Sequence, residues 1–429
     1  MEPVLTREGS GYRVDWPSVG VHIIVRYIKR KLDSFKAECA VYYQGEPVHR
    51  SNPTLDSVTG MDQFRRKCQR SRPTEDYGIN WDQIIEDLSG IVIDTARAGT
   101  PEAVLGDVPP DESVAWRVDN LLVEDTTVLW ANGGTGKSFF ALWLSTLISE
   151  GLEYVNTDHG LIVEPGNVLY LDYETTQAQI ASRVRKLHNG LGIDRPSKIV
   201  YRHMELPLVQ DVDTIRDIVH KRNIDYIVVD SMGLAVDGEL ESAAEVLEFF
   251  RSLNTIGLPS LVISHANKSG NLFGSSYTAN AARSVIEGSN KEGSYATGGI
   301  EFNLFHRKAN DIPKQAPQTW SVQFEPDKVT YTRGDVFHSG AAGELSYAKL
   351  VYNILKESSS PKTREYLTET IAPIKDISLE KAKPLVSTAI TRNMNEGHAL
   401  ETDEGIVFSK KTPGQEGDDA WAGTDKLKL

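Results

Sequence analysis

An octapeptide, Ala131-Asn132-Gly133-Gly134-Thr135-Gly136-Lys137-Ser138, joins the apolar run TTVLWA (126–131) to the helical pattern FFALWLSTLISEG that follows it. Glycines that carry a strand into a helix opening on Gly-Lys-Ser let successive backbone N–H groups turn inward around an anion, at the positive end of the helix. The pattern therefore predicts a phosphate-binding loop built from Asn132, Gly133, Gly134, Thr135, Gly136 and Phe139. The Lys137 ammonium is expected to reach the outer phosphates of ATP, and the Ser138 hydroxyl to face Mg2+. One position departs from the usual G-x-x-x-x-G-K-[ST] spacing, because Ala131 stands in place of the first glycine.

Four further apolar runs, NVLYLDY (167–173), KIVYRHM (198–204), DYIVVD (225–230) and PSLVISH (259–265), alternate with patterns long enough to be crossover helices. Strands that are apolar on both faces belong to a parallel sheet covered by helices, so the class is α/β. Asp230 ends DYIVVD, where a strand terminus beside the loop can orient Mg2+. Glu174 ends VLYLDYE, placed to polarise a water attacking the γ-phosphate, and Asp172 competes for that role because period 2 aims it the same way.

Flanking segments differ in character. AGTPEAVLGDVPPDES (98–113) is rich in Gly, Pro and acid and reads as a linker over 99–113. Before it, residues 1–98 read as a small α+β domain with two strands, VGVHIIVRYIKRK and FKAECAVYY, and one helix, WDQIIEDLSGIVIDTARA. The basic cluster Arg65, Arg66, Lys67, Arg70 and Arg72 there reads as a solvated helix face. The core spans 114–338 and closes on a hairpin, WSVQFE and KVTYTR. Residues 344–409 follow as three helices and two short strands, the order of a winged helix, with Lys381, Lys383, Arg392 and Lys410 as candidate phosphate contacts. The tail 410–429, with Asp418, Asp419 and Trp421, has the composition of a disordered segment. Residues 101–250 hold 11 Lys and Arg against 25 Asp and Glu, which accounts for the whole net charge of −14. Any contact with DNA must therefore come from local loops or the flanks. Two cysteines, Cys39 and Cys68, suit neither a disulfide framework nor a zinc cluster. No apolar run reaches the roughly 20 residues a bilayer requires, and a cytoplasmic location without membrane contact is expected.

Taken in order, ANGGTGKS, VLYLDYETTQAQIASRVRKL, DYIVVDS, LVISHANKSG, GSSYTANAARSVIE and HRKAND resemble the RecA-like P-loop ATPases of the RepA type, the hexameric replicative helicases of plasmids and phages. The resemblance covers about residues 115–330. It implies a RecA-like core in a homo-oligomer, a hexamer, with nucleotide between neighbouring subunits and Glu174 as the catalytic carboxylate. It also implies a γ-phosphate sensor at Ser264 or His265, and a basic finger, Arg307 or Lys308, reaching the next subunit. Arg283 is a further match. Two loops of the family line a channel for single-stranded DNA. Here the first, SMGLAVDGELES, carries Asp237, Glu239 and Glu241 and no base, which is poor chemistry for phosphates. The second, ANKSGNLFGSS, offers Asn267, Lys268 and Asn271 to phosphate or sugar and Phe273 to a base. The expected activity is ATP-driven DNA unwinding in plasmid- or phage-type replication, with duplex DNA a candidate partner of the winged helix. Two other readings stay open: a repair or recombination accessory ATPase or helicase loader that does not unwind, and a nucleotide-gated winged-helix regulator.

Overall fold

The computed structural model describes residues 2–8, 11–31, 34–71, 78–99, 102–109, 115–152, 160–267, 270–274, 276–290 and 299–409. Two compact units emerge, Met1–Ser113 with Asp211–Asn223, and Val114–Gln210 with Ile224–Leu429.

In the first unit five antiparallel strands pair in sequence order: β1 (Val4–Glu8), β2 (Gly11–Trp16), β3 (Val21–Lys31), β4 (Ser34–Tyr43) and β5 (Glu46–Ser51). Period-2 alternation sends Val14 and Trp16 of β2, and Phe35, Ala37, Cys39, Val41 and Tyr43 of β4, to one face. Helices α1 (Val58–Gln69) and α2 (Trp81–Ala98) contribute Met61, Phe64, Trp81, Ile84, Leu88 and Val92 to the same core. Only β3, β4 and α2 were legible beforehand, since the edge strands β1 and β5 are mostly exposed and their charged side chains erase the alternation. Arg65 and Arg66 both pair with Asp62, and Arg72 lies outside the described residues.

The second unit begins with a small β6 (Trp116–Val118) and β7 (Leu122–Val123) pair, then β8 (Thr126–Ala131), α3 (Lys137–Glu150), β9 (Val168–Asp172), α4 (Gln177–Leu191) and β10 (Val200–His203). Helix α5 (Leu208–Arg222), most of which belongs to the first unit, leads to β11 (Tyr226–Asp230), α6 (Met232–Ala235), α7 (Ala243–Ile256) and β12 (Ser260–His265). After α8 (Ser276–Ala281) come β13 (Ser284–Asn290), β14 (Gly299–Ala309), β15 (Gln318–Phe324) and β16 (Val329–Gly334). Nine strands form one sheet in the order β10-β9-β11-β12-β8-β13-β14-β15-β16, parallel from β10 to β13 and antiparallel beyond. Strand β8 lies between β12 and β13, neither its neighbour in sequence, so its carboxyl end opens at a crossover point where ligands of α/β sheets sit. Helix α3 is apolar almost all round, with Phe140 to Leu144, Leu147 and Ile148 buried, which fixes the loop before it against the sheet.

Residues 347–408 form α9 (Tyr347–Glu357), α10 (Arg364–Ile374), α11 (Leu379–Asn395) and an antiparallel pair, β17 (Ala399–Thr402) with β18 (Gly405–Phe408). They close on a small core that includes Leu350, Ile354, Leu367, Ile371, Val386 and Ile390. Lys381, Lys383 and Arg392 are exposed on α11, Arg392 paired with Glu396 at 2.9 Å. Lys410, Asp418, Asp419 and Trp421 lie outside the described residues. No helix among the described residues is long and apolar enough to cross a membrane.

Candidate active site

Strand β8 ends at Ala131 in extended backbone, so this position of the loop needs no glycine, and its methyl has room because Gly288 of the adjoining β13 lacks a side chain. Farther along, Gly134 and Gly136 have φ of +75° and +97°, the left-handed region, and a Cβ on Gly136 would come within 2.9 Å of Ile300 Cδ1. Thr135 Oγ1 donates to Asn132 O at 3.0 Å and closes the turn. At the start of α3 the buried Lys137 ammonium donates to Ala131 O at 2.9 Å and Asn132 O at 2.8 Å. Burial pulls this ammonium down to about 8, opposed by the charges of Asp230 and Glu174.

Asp230 closes β11 opposite Asp172 of β9. Its Oδ2 accepts the Tyr170 hydroxyl at 2.6 Å, while its buried Oδ1 has no hydrogen-bond partner among the described residues. Burial raises its carboxyl, and the Tyr170 and Ser138 hydroxyls oppose that rise. An orphaned buried carboxylate oxygen next to a P-loop hydroxyl fits a hard divalent cation, so Ser138 and Asp230 are the residues that would hold Mg2+.

Asp172 and Glu174 have separate occupations. Asp172 is buried, and it accepts the Glu174 and Thr175 amides at 3.0 and 3.2 Å, the Thr175 hydroxyl at 2.6 Å and the Tyr201 hydroxyl at 3.1 Å. It is a turn-capping carboxylate with no spare oxygen. Glu174 lines the cleft, its Oε1 bound by the Ser231 hydroxyl at 2.5 Å and His265 Nε2 at 3.2 Å. The His265 hydrogen bond, helped by Ser231 and the charge of Lys137, holds this carboxyl at about 2 against burial, which pushes it up. Ser264 is fully buried on β12 and does not line the cleft, whereas His265 does.

The cleft has a volume of about 500 Å³, within the range of small-molecule sites, and gathers Gly134 to Phe139, Glu174, Asp230 and His265. Five lining residues were not singled out from sequence: Arg183 of α4, Ile263 of β12, Gly299 and Ile300 of β14 and Phe324 of β15. The Arg183 guanidinium lies over the Phe139 ring at 5.2 Å, and Phe324 meets that ring edge-on at 5.4 Å, which builds a cationic and aromatic wall. Arg183 stands nine residues past Glu174 in a stretch already notable for its motif, but Phe324 carries no local signal.

Arg307 and Lys308 do not line this cleft. Arg307 pairs with Glu287 at 2.5 Å and Glu344 at 3.0 Å, over the Phe305 ring. Lys308 Nζ donates to Ala279 O, Asn280 O and Ala282 O at 2.6 to 3.0 Å, the bonds of a cap on α8. Arg283 lies 3.5 Å from Asp125 and 3.7 Å from Asp311. Past His265 the chain folds back: Asn267 N donates to Asn271 O at 2.7 Å and Phe273 N to His265 O at 2.9 Å, while Lys268 lies outside the described residues. In the acidic loop, Asp237 accepts Gln210 Nε2 at 2.8 Å.

Residues 83–271 match a family model described as an AAA domain. The matched stretch contains the phosphate loop, Glu174, Asp230 and His265, and it ends before Arg283 and Arg307. The strand order and the loop geometry give the second unit a mostly parallel α/β core with a phosphate-binding loop at the end of β8. Among solved structures the chain is similar to a KaiC-like protein of the hyperthermophilic archaeon Pyrococcus horikoshii OT3, at 16% identity and a TM-score of 0.36, over 50% of this chain and 93% of that one. No curated protein matches the chain.

Proposed function

We propose that the chain is an ATP-dependent DNA helicase, or DNA-stimulated ring ATPase, of plasmid- or phage-type replication. The observation that carries the ATPase part is the convergence of Lys137, Asp230 and a donor-held Glu174 on one cleft. The Lys137 ammonium binds the outer phosphates by leaving the loop carbonyls. Glu174 takes the proton of the attacking water, and the Arg183–Phe139–Phe324 wall receives the base. Mg2+, when held by Ser138 and Asp230, neutralises phosphate charge. Arg307 from a neighbouring subunit offsets charge that develops only in the transition state. In this reading the subunits form a homo-oligomeric ring, a hexamer, with single-stranded DNA in its channel and duplex DNA against the winged helix of 344–409. The fold-back of the chain onto His265, through Phe273 N to His265 O and Asn267 N to Asn271 O, supports a DNA contact coupled to the site.

The acidic segment 231–242, which contains α6, favours a second reading, an accessory ATPase or loader that hydrolyses ATP without moving along DNA. ATP turnover with and without single-stranded DNA, with Lys137→Ala as the control, tests both, together with strand displacement on a forked duplex. Stimulation with displacement supports the helicase, and stimulation without it supports the second reading. Turnover indifferent to DNA would sink both.

A further inference from the structure

Ser231 follows Asp230 at the end of β11 and occupies the N-cap of α6 with φ −124° and ψ 164°. A serine there ordinarily turns its hydroxyl onto an amide of the first helical turn. No such bond is made; the buried hydroxyl donates instead to Glu174 Oε1 at 2.5 Å. We propose that Ser231 is a positioning residue for the water-activating carboxylate. Ser231 and His265 hold Oε1, which leaves Oε2 as the oxygen that meets the attacking water. This rests on the reading of Glu174 as the base.

The surroundings of Glu174 show why a side-chain tether matters. Its backbone is fixed already: Glu174 N donates to Asp172 Oδ1 at 3.0 Å, and Tyr173 N donates to Asp230 O at 2.7 Å, across the β9–β11 pair. Beyond Cα the chain has three rotatable bonds and is about a third exposed, so without donors the carboxylate would sample several rotamers. A general base has to stand within hydrogen-bond reach of the proton it removes, and few of those rotamers comply. Two donors on one oxygen select one rotamer and orient the plane of the carboxylate. Among the described residues nothing donates to Oε2. The tether also registers the base to the cation site, because Ser231 is the next residue after Asp230. An ordinary capping role makes a different forecast: the hydroxyl does not cap α6, so its removal takes no hydrogen bond from the helix.

The test uses the full chain with Ser231→Ala and Ser231→Thr, each assayed for ATP hydrolysis and for binding of a fluorescent ATP analogue. Ser231→Ala should lower kcat about tenfold while KM and analogue affinity stay within about twofold, and Ser231→Thr, which keeps the hydroxyl, should restore most of kcat. Wild-type kcat in Ser231→Ala, or a loss shared equally by kcat and affinity that threonine fails to rescue, overturns the proposal. Should the alanine variant fail to fold by circular dichroism, Ser231→Cys keeps the size with a weaker donor: an intermediate kcat supports the proposal and a wild-type kcat overturns it. Glu174→Gln, run alongside, separates the two layers. If it hydrolyses ATP at the wild-type rate, the base itself is misassigned; if it is dead while Ser231→Ala is unimpaired, only the role of Ser231 falls.

Discussion

Glu174 and Asp172 lie two positions apart on one strand end, and period-2 reasoning aims both at the cleft. What separates them is occupancy: four donors saturate Asp172, whereas Glu174 keeps an oxygen for water. Glu174→Gln should therefore bind ATP normally and turn it over at least about a hundredfold slower, while Lys137→Ala should weaken nucleotide binding itself. Single-turnover hydrolysis beside equilibrium binding distinguishes the two, and a fast Glu174→Gln would return the role to another group. The donors on Glu174 have a pH signature. With its carboxyl held at about 2, the wild type should show no fall in kcat/KM from this group down to about pH 5. His265→Ala removes the largest influence that keeps the charged form favoured, so the carboxyl moves up towards the ordinary value of about 4.3 and is protonated at higher pH than before. The acid limb should then enter the measurable range near about pH 5. If the variant stays as flat as the wild type, Glu174 is not the titrating base. The phosphate loop was legible because its chemistry is local, eight consecutive residues with a fixed use. Ser231, Arg183 and Phe324 were not, because their partners lie far away in sequence and only the fold brings them together.

Helix α4 shows how a single missing side chain sets the spacing between layers. A Cβ on Gly190 would stand 1.9 Å from Val329 O of β16, and the adjacent Asn189 amide donates to Asp327 O at 2.7 Å. Glycine is normally a weak choice inside a helix, and alanine there would stabilise an isolated helix by about 0.5–1 kcal/mol. The backbone carbonyl cannot yield as a flexible side chain could, so contact wins over propensity. Gly190→Ala should destabilise the core by about 1–3 kcal/mol, seen as a lower urea midpoint, and an unchanged midpoint would mean that helix and strand part readily. Periodicity located α4 and these parallel strands well, since β8, β9, β11 and β12 are buried on both faces and carry apolar runs. It could not give the strand order or this close approach, because neither leaves a mark on local composition.

Arg307 stands outside the cleft of its own chain, clamped by Glu287 and Glu344, so the proposed finger role requires a ring in which it reaches a neighbour's cleft. Hydrolysis should accordingly depend on protein concentration, and Arg307→Ala should bind nucleotide yet lose roughly 10³ or more in turnover, about 4 kcal/mol of transition-state stabilisation. Lys308 is a poorer finger, since its ammonium is committed to the carbonyls of Ala279, Asn280 and Ala282 at the end of α8. Mixing Lys137→Ala with Arg307→Ala subunits should restore part of the activity where an intact finger faces an intact loop. A mixture as inactive as its components, with mixed assembly shown independently, would refute a shared site. The division of the chain itself bears on how it is made. Residues 211–223 count with the first unit, where Asp217 lies 3.7 Å from Arg26, although the segment is strung between two strands of the second. A ribosome that has finished residue 113 has not finished that unit; at about 5–20 residues per second the missing helix follows on the order of ten seconds later. A fragment cut at the linker would be short of one of its own parts, and the N-terminal unit stays incomplete until residues 114–210 of the second unit have been made.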